Sequence, residues 1–201
     1  MRTLLIVLLA LVATATPASA ATPLEAGTQL TLNQNSRCVN GFNVRGYLLV
    51  SVHCANANGT LIGPGGVVIG PVERKRATYG VVRILDPSAW DQLPRLAGHP
   101  TPITGSVEAA VGATVCTSSR ISGWRCGTVV AKNQSISHGT GTITGLTRTN
   151  LCVQPGDDWL PVISGSHAQG HLMGGSTGGC TSFFYPINRI LAAEGFTLVT
   201  A

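Results

Sequence analysis

The chain has 201 residues, only 10% of them charged, and its formal net charge at pH 7 is +5. A positive balance this small gives no argument for nucleic-acid binding. The length suits one domain, or two small halves, with a sizeable core.

The first 20 residues are organised like a secretory signal peptide. Arg2 supplies a positive charge, Leu4–Val12 are mostly apolar, and Ala18-Ser19-Ala20 form a small-residue cleavage site. The alternative is a membrane anchor, but a span needs about 20 apolar residues and this run is shorter. We therefore expect a mature domain over residues 21–201, in an extracellular or periplasmic compartment, with no membrane span.

Short apolar runs rich in Val, Ile, Leu and Thr follow one another along the rest of the chain. In order they read FNVRGYLLVSV, GVVIG, YGVVRIL, TVVAK, GTITGLT and PVISG, with Gly, Pro, Asn and Ser between them. This pattern is typical of an all-β sandwich or barrel. Only YPINRILAAEGF, near the end, spaces its apolar residues as a helix does, with Gly195 as the expected stop. The sequence predicts an all-β fold with a short C-terminal helix.

Six cysteines in an exported chain indicate three disulfides, for which 15 pairings are possible. Spacing suggests that Cys116 and Cys126 close a hairpin, that Cys38 and Cys54 flank two short strands, and that Cys152 and Cys180 bracket a glycine-rich return. The alternative is a metal site, which is weak because no C-x-x-C pair occurs. We expect no metal and no cofactor.

Five stretches carry a resemblance to a known family. They are RCVNGFNVRG, SVHC, EAAVGATVC with GWRCGTVVAKN, GLTRTNLCVQPGD, and GGSTGGCTSFFYPINRIL. Together they resemble the alpha-lytic protease and streptogrisin group of bacterial chymotrypsin-like serine proteases, over nearly all of residues 30–201. The resemblance implies two antiparallel six-stranded β-barrels with a cleft between them. It also implies the disulfides Cys38–Cys54, Cys116–Cys126 and Cys152–Cys180.

The same resemblance places the catalytic positions of the family. His53, in SVHC, corresponds to the catalytic base, and Gly156 belongs to the loop that donates N–H groups to the oxyanion. The triad aspartate position holds Thr78, in ATYGVVR, and the nucleophile position holds Asp158, in GDDWLP. The serine mechanism needs a serine nucleophile and a charged partner for the histidine. We expect Asp158 instead to pair with His53, which lowers the pKa of the carboxyl and keeps the imidazole protonated.

Residues around these positions depart from the family pattern as well. Trp159 and Leu160 replace two glycines, so either the loop has moved or Trp159 projects into the cleft. Met173 replaces a serine on the strand that lines the groove, whereas Gly174 and Gly175 are kept. We expect Met173, Gly174, Gly175 and Trp159 to form the substrate-binding side of the cleft.

An arginine that pairs with the aspartate at 157 in the family is replaced by Thr117. Arg120 is the expected replacement partner of that carboxylate. The family's folding pro-region is also reduced here to residues 21–35, so we expect the chain to fold unaided or with a separate helper.

The sequence therefore predicts a secreted, monomeric pseudoprotease that binds a peptide or protein in the interbarrel cleft and binds no nucleic acid. One alternative is an active or weakly active serine-type hydrolase with non-standard catalytic residues. The other is a surface-binding protein that uses loops such as Arg74–Arg76. Fluorophosphonate labelling and peptide turnover separate the first two interpretations.

Overall fold

The computed structural model describes residues 20–33, 36–138, 141–176 and 179–201. The predicted signal peptide therefore lies outside the described residues, apart from Ala20. In the described part of the chain, strands dominate and helices are short, which confirms the all-β prediction. No helix of this part is long and apolar enough to cross a membrane.

The N-terminal half is a curled six-stranded antiparallel sheet. Side chains alternate across its strands, so that Leu30 and Leu32 are buried while Gln29 is exposed. Leu48, Leu61 and other apolar residues fill the inner side, and each fully buried leucine contributes roughly 1.5–3 kcal/mol. In spatial order the strands are β3 (Ser36–Val39), β2 (Gln29–Leu32), β5 (Thr60–Ile62), β6 (Val68–Lys75), β7 (Tyr79–Arg83) and β4 (Tyr47–Ser51).

The C-terminal half is a closed six-stranded barrel. Val115, Val129, Val162, Leu172 and Phe184 are among the residues of its core. Closure pairs the first strand of the sheet with the last, so an edge stays open only where one strand runs on past its neighbour. In spatial order the strands are β10 (Gly123–His138), β11 (Gly141–Thr149), β14 (Ser182–Pro186), β13 (His167–Gly175), β12 (Pro161–Ser164) and β9 (Thr114–Ser119).

One strand pair and the C-terminal helix lie outside the two six-stranded sheets. Strand β1 (Thr22–Ala26) pairs in parallel with β8 (Trp90–Leu96). Helix α2 (Ile187–Glu194) buries Ile187 and Ile190 in a core shared by both halves, and it ends at Gly195 in the left-handed conformation, with φ at +67°. The predicted C-terminal helix and its glycine stop are thus confirmed.

Three disulfides join the pairs that the family resemblance implies: Cys38–Cys54, Cys116–Cys126 and Cys152–Cys180. The first ties β3 to the short helix α1 (Val52–Asn56), and the second closes the hairpin of β9 and β10. Each such bridge typically contributes about 2–4 kcal/mol, in part by restricting the unfolded chain.

Candidate functional site in the interbarrel cleft

A cavity of about 940 Å³ lies between the N-terminal sheet and the barrel. One side is formed by α1 and by the end of β6. The other side is formed by β10, β11 and β13, and by the loop that contains Asp158. The lining residues are Ser51, Val52, His53, Asn56, Lys75, Arg76, Ala77, Ile136, Ile143, Asp158, Met173, Gly174, Gly175, Ser176 and Phe183.

His53 is held at the mouth of this cleft by its short helix. The Ser51 hydroxyl caps α1 by accepting the N–H of Cys54, and the disulfide of Cys54 anchors the same turn. The imidazole itself is exposed. Thr78 is buried directly before β7, and no hydrogen bond joins it to His53. His53 is therefore presented to the cleft without a hydrogen bond from Thr78.

Asp158 lies in the same cleft, but no ion pair within 4.0 Å or hydrogen bond joins it to His53. Its carboxyl remains open to the cleft, yet the surrounding loop removes part of its hydration. This desolvation raises the pKa of Asp158 above its usual value, and the Trp159 backbone N–H and the charge of His53 oppose the shift only in part. The expected ion pair, with a lowered pKa at Asp158, is therefore wrong.

The neighbouring carboxylate of Asp157 is buried and fully partnered. The hydroxyls of Ser119 and Ser122 donate to it, the latter at 2.8 Å, and the backbone N–H of Gln154 donates at 2.9 Å. Arg120 forms no ion pair with it, so the prediction of Arg120 as its partner is wrong. Hydroxyl donors satisfy the buried charge here, with no need for a guanidinium.

Two backbone groups of this loop are open to a ligand. Gly156 adopts a φ of +94°, a conformation that glycine reaches without steric cost. The N–H groups of Gly156 and Asp158 donate no hydrogen bond to any residue that the structure describes. Backbone N–H groups left in this state can receive a negatively charged oxygen.

Trp159 points away from the cleft, into the core shared by the two halves. It adopts a φ of +60° and is 1% exposed. Its indole N–H donates to the carbonyl oxygen of Leu49 at 3.1 Å, and its ring stacks on His171 with centroids 4.4 Å apart. The placement of Trp159 on the substrate-binding side is therefore corrected. The loop keeps its strand contact, because the Trp159 backbone N–H still donates to the carbonyl oxygen of Leu172 at 2.9 Å.

His171 is a buried residue for which the sequence predicts no role. Its Nε2 accepts the backbone N–H of Phe42 at 2.9 Å, and burial lowers its pKa to about 3, so the ring is neutral at physiological pH. The burial of His171 follows from its position on β13, where its neighbours in the strand are also buried. Together with Trp159 it forms an aromatic pair beneath the cleft.

The edge of β13 that faces the cleft is unpaired beyond its contact with Leu160. The partner strand β12 pairs with β13 only as far as His171, and the Leu172 N–H then donates to the carbonyl oxygen of Leu160. No described strand covers Met173–Gly175 on that side. Gly175 packs tightly on the other side, since a Cβ there would lie 2.5 Å from the carbonyl oxygen of Thr181.

Arg74 and Arg76 are already engaged inside the protein. Both pair with the buried carboxylate of Glu194, at 3.0 and 2.7 Å, and the Tyr79 hydroxyl donates to the same group at 2.9 Å. Arg76 holds the pKa of Glu194 below its usual value. Arg74 and Arg76 therefore connect the end of β6 to α2 through Glu194.

Proteins with similar sequences include two from Streptomyces. Serine protease 2 of Streptomyces fradiae is 35% identical over 161 residues, which covers 72% of this chain and 92% of that protein. Streptogrisin-C of Streptomyces griseus is 36% identical over 183 residues, covering 85% of this chain. The chain belongs to the streptogrisin group of bacterial chymotrypsin-like serine proteases.

Solved structures of two bacterial proteins with a similar fold agree with the assignment. Cellulomonas bogoriensis chymotrypsin superposes with a TM-score of 0.79 and 33% identity, covering 90% of this chain and all of that one. Thermobifida fusca protease A gives 0.77 and 36%. The chain spans 40% of streptogrisin-C and 62% of streptogrisin-A. No family model matches the chain.

Proposed function

We propose that this streptogrisin-group protein is a secreted pseudoprotease that binds an extended peptide in the interbarrel cleft without cutting it by the serine mechanism. The observation that carries the proposal is Asp158, a carboxylate at the nucleophile position that forms no ion pair with His53 within 4.0 Å. Attack of a carboxylate on an amide gives a mixed anhydride, which is uphill from the peptide.

Thr78 supports the same conclusion. A threonine carries no charge to stabilise an imidazolium, and it makes no hydrogen bond to His53. In serine proteases, loss of the aspartate charge alone lowers turnover about 10⁴-fold. The combined changes at Thr78 and Asp158 remove both the nucleophile and the group that orients its base.

The cleft keeps the features that peptide binding requires. The unpaired edge at Met173–Gly175 can accept an added antiparallel strand. Ile136, Ile143 and Phe183 add a partly buried apolar wall for its side chains. Backbone hydrogen bonds supply affinity that does not depend on the peptide's sequence, and the apolar wall supplies preference.

An activity assay tests the loss of catalysis. The purified secreted chain should show no labelling by a fluorophosphonate and no peptide turnover above an uncatalysed control, while a relative such as Serine protease 2, assayed in parallel, should be labelled. Turnover by the chain that disappears in His53→Ala would overturn the proposal.

Peptide turnover that disappears in His53→Ala would establish the second candidate function, a weakly active hydrolase. The exposed imidazole of His53 and the unoccupied N–H groups of Gly156 and Asp158 favour it, because they are the parts of the mechanism still open to a substrate. A water activated by His53 is the nucleophile that these groups could serve.

A binding assay tests the role of the cleft. Peptides selected from a random dodecapeptide library should lose affinity for Ile143→Arg, which places a charge on the apolar wall. Val107→Arg is the matched control, since Val107 is an exposed valine outside the cleft. Equal affinity for both variants would contradict binding in the cleft.

The proposal includes secretion as a monomer, with a signal peptide over residues 1–20 and one protease-like domain over residues 21–201. Three disulfides need an oxidising compartment. Mass spectrometry of the exported protein should find Ala21 at its N-terminus, and sedimentation should give the mass of a single chain. An uncleaved N-terminus or a stable dimer would contradict this part.

A further inference from the structure

The cleft continues past Asp158 into a second groove. A cavity of about 360 Å³ begins at His53 and Asp158, and it shares Arg120, Ile121 and Gly156 with a further cavity of about 750 Å³. The two cavities are therefore adjacent, and together they are here called the downstream arm. Its far end is bounded by His99 and Trp124.

Uncompensated positive charge lines the downstream arm. Arg37 and Arg120 both lie on it and both are exposed. All eight Asp and Glu residues of the chain lie within the described residues, so every possible acidic side-chain partner is visible. The ion pairs that these carboxylates form use Arg74, Arg76, Arg95 and Lys132. Neither Arg37 nor Arg120 has a carboxylate within 4.0 Å.

The basic residues that line the cavity of about 940 Å³, Lys75 and Arg76, already have partners inside the protein. Arg76 is paired there with Glu194, and Lys75 donates to the side-chain oxygen of Asn58. Of the acidic groups nearest the downstream arm, Asp157 is buried beneath serine hydroxyls, and Asp158 stands at the junction of the two halves. A negatively charged group of a partner is therefore favoured in the downstream arm, and not in the part of the cleft that Lys75 and Arg76 line.

The far end of the arm offers an aromatic surface. Trp124 stacks on His99 with centroids 3.7 Å apart and an interplanar angle of 9°, and 41% of Trp124 remains exposed. Ile121 beside it is 59% exposed. Apolar area of this kind, rimmed by polar and charged groups, is typical of a contact surface.

Strand direction fixes which part of a bound peptide enters the arm. A segment added antiparallel to Met173–Gly175 runs with its carboxyl end toward Met173. The backbone contacts between Trp159 and Leu172 place Asp158 at that end. Residues that follow the one facing Asp158 therefore continue past His53 into the downstream arm.

We propose that the partner is an extended polypeptide with acidic side chains just C-terminal to the residue that faces Asp158, followed by an apolar or aromatic side chain that packs on Trp124. This inference rests on the proposed binding function and specifies its partner. Arg37 and Arg120 supply charge-assisted hydrogen bonds to the acidic groups.

The test uses fluorescent dodecapeptides selected from a random library on the wild-type protein. The selected sequences should carry Asp or Glu in their C-terminal half. The double variant Arg37→Glu/Arg120→Glu should weaken their binding at least about tenfold, mainly through the arginine contacts. It should also recover affinity when the acidic positions are changed to Lys. Trp124→Ala should weaken binding by about fivefold or more.

Arg83→Glu is the control for charge reversal, because Arg83 is an exposed arginine on β7 that lines neither the cleft nor the downstream arm. This variant should change peptide affinity by less than about twofold. Selected peptides that respond to Ile143→Arg but not to the double arginine variant would overturn this inference and leave the proposed function standing. A library that yields no cleft-dependent binder would overturn both.

Discussion

Acid should destabilise this protein through His171. The ring is fully buried, and its pKa of about 3 lies far below the reference value of about 6.5. The unfolded chain therefore binds a proton at this residue between those two values, and the folded chain does not. Stability is then complete above the unfolded pKa and falls as the pH drops toward the folded one.

The magnitude follows from the size of the shift. At about 1.36 kcal/mol per pKa unit, a fall from pH 6.5 to pH 4.5 should cost roughly 2–3 kcal/mol of unfolding free energy. That loss is a large part of the stability of an ordinary domain. Carboxylates such as Glu194 add their own losses at lower pH, so the contribution of His171 needs a variant to isolate it.

His171→Gln is that variant, because an amide oxygen can still accept the Phe42 N–H but cannot take up a proton in this range. Urea unfolding of both proteins across this pH range gives the free energies. The variant should lose most of the slope between pH 6.5 and 4.5, whereas His53→Gln, at an exposed histidine in the cleft, should keep it. Equal slopes for wild type and His171→Gln would refute the burial of a neutral imidazole.

Three further predictions concern the loop and its supports. Asp158→Ser alone should give no peptide turnover above background, because Thr78 leaves the base without a charged partner; clear turnover would contradict this. Trp159→Gly should lower the free energy of unfolding by about 2–4 kcal/mol, because the packing lost outweighs the backbone strain relieved at the positive φ of residue 159. Denaturant unfolding that shows no such loss would contradict the burial of the Trp159 side chain. Glu194→Gln should cost about 1–2 kcal/mol by the same measurement, while Glu73→Gln, at an exposed and unpaired carboxylate, should cost almost nothing.

Most of the fold was predictable because it depends on local patterns. Alternating apolar residues such as Leu30 and Leu32 specify a strand with one buried side, and Gly195 specifies a helix end. Spacing suggested the pairing of the cysteines, and the family resemblance implied the same three pairs. The placement of His53 and Asp158 in one cleft followed from the same resemblance.

The partners of individual side chains were not predictable in the same way. Charge complementarity favoured Arg120 as the partner of Asp157, but Ser119 and Ser122 come close in three dimensions and are sufficient. Proximity in sequence gave no sign that Glu194 would bind Arg74, because α2 reaches β6 only through the fold. Contacts of this kind depend on tertiary packing, which a single sequence does not display.

Trp159 links the stability of this protein to its proposed loss of catalysis. A tryptophan at φ +60° is strained by roughly 1–3 kcal/mol, and the strain persists because the side chain gains a hydrogen bond to Leu49 and a stacking contact with His171. Those contacts fix the backbone on one side of Asp158, while the bonds of Asp157 fix it on the other. The backbone that carries Asp158 is thus fixed on both sides, and from this position its carboxylate forms no ion pair with His53. A serine introduced at 158 would inherit the same backbone, so recovery of the serine mechanism requires the loop to be rebuilt around Trp159 as well as a charged partner for His53.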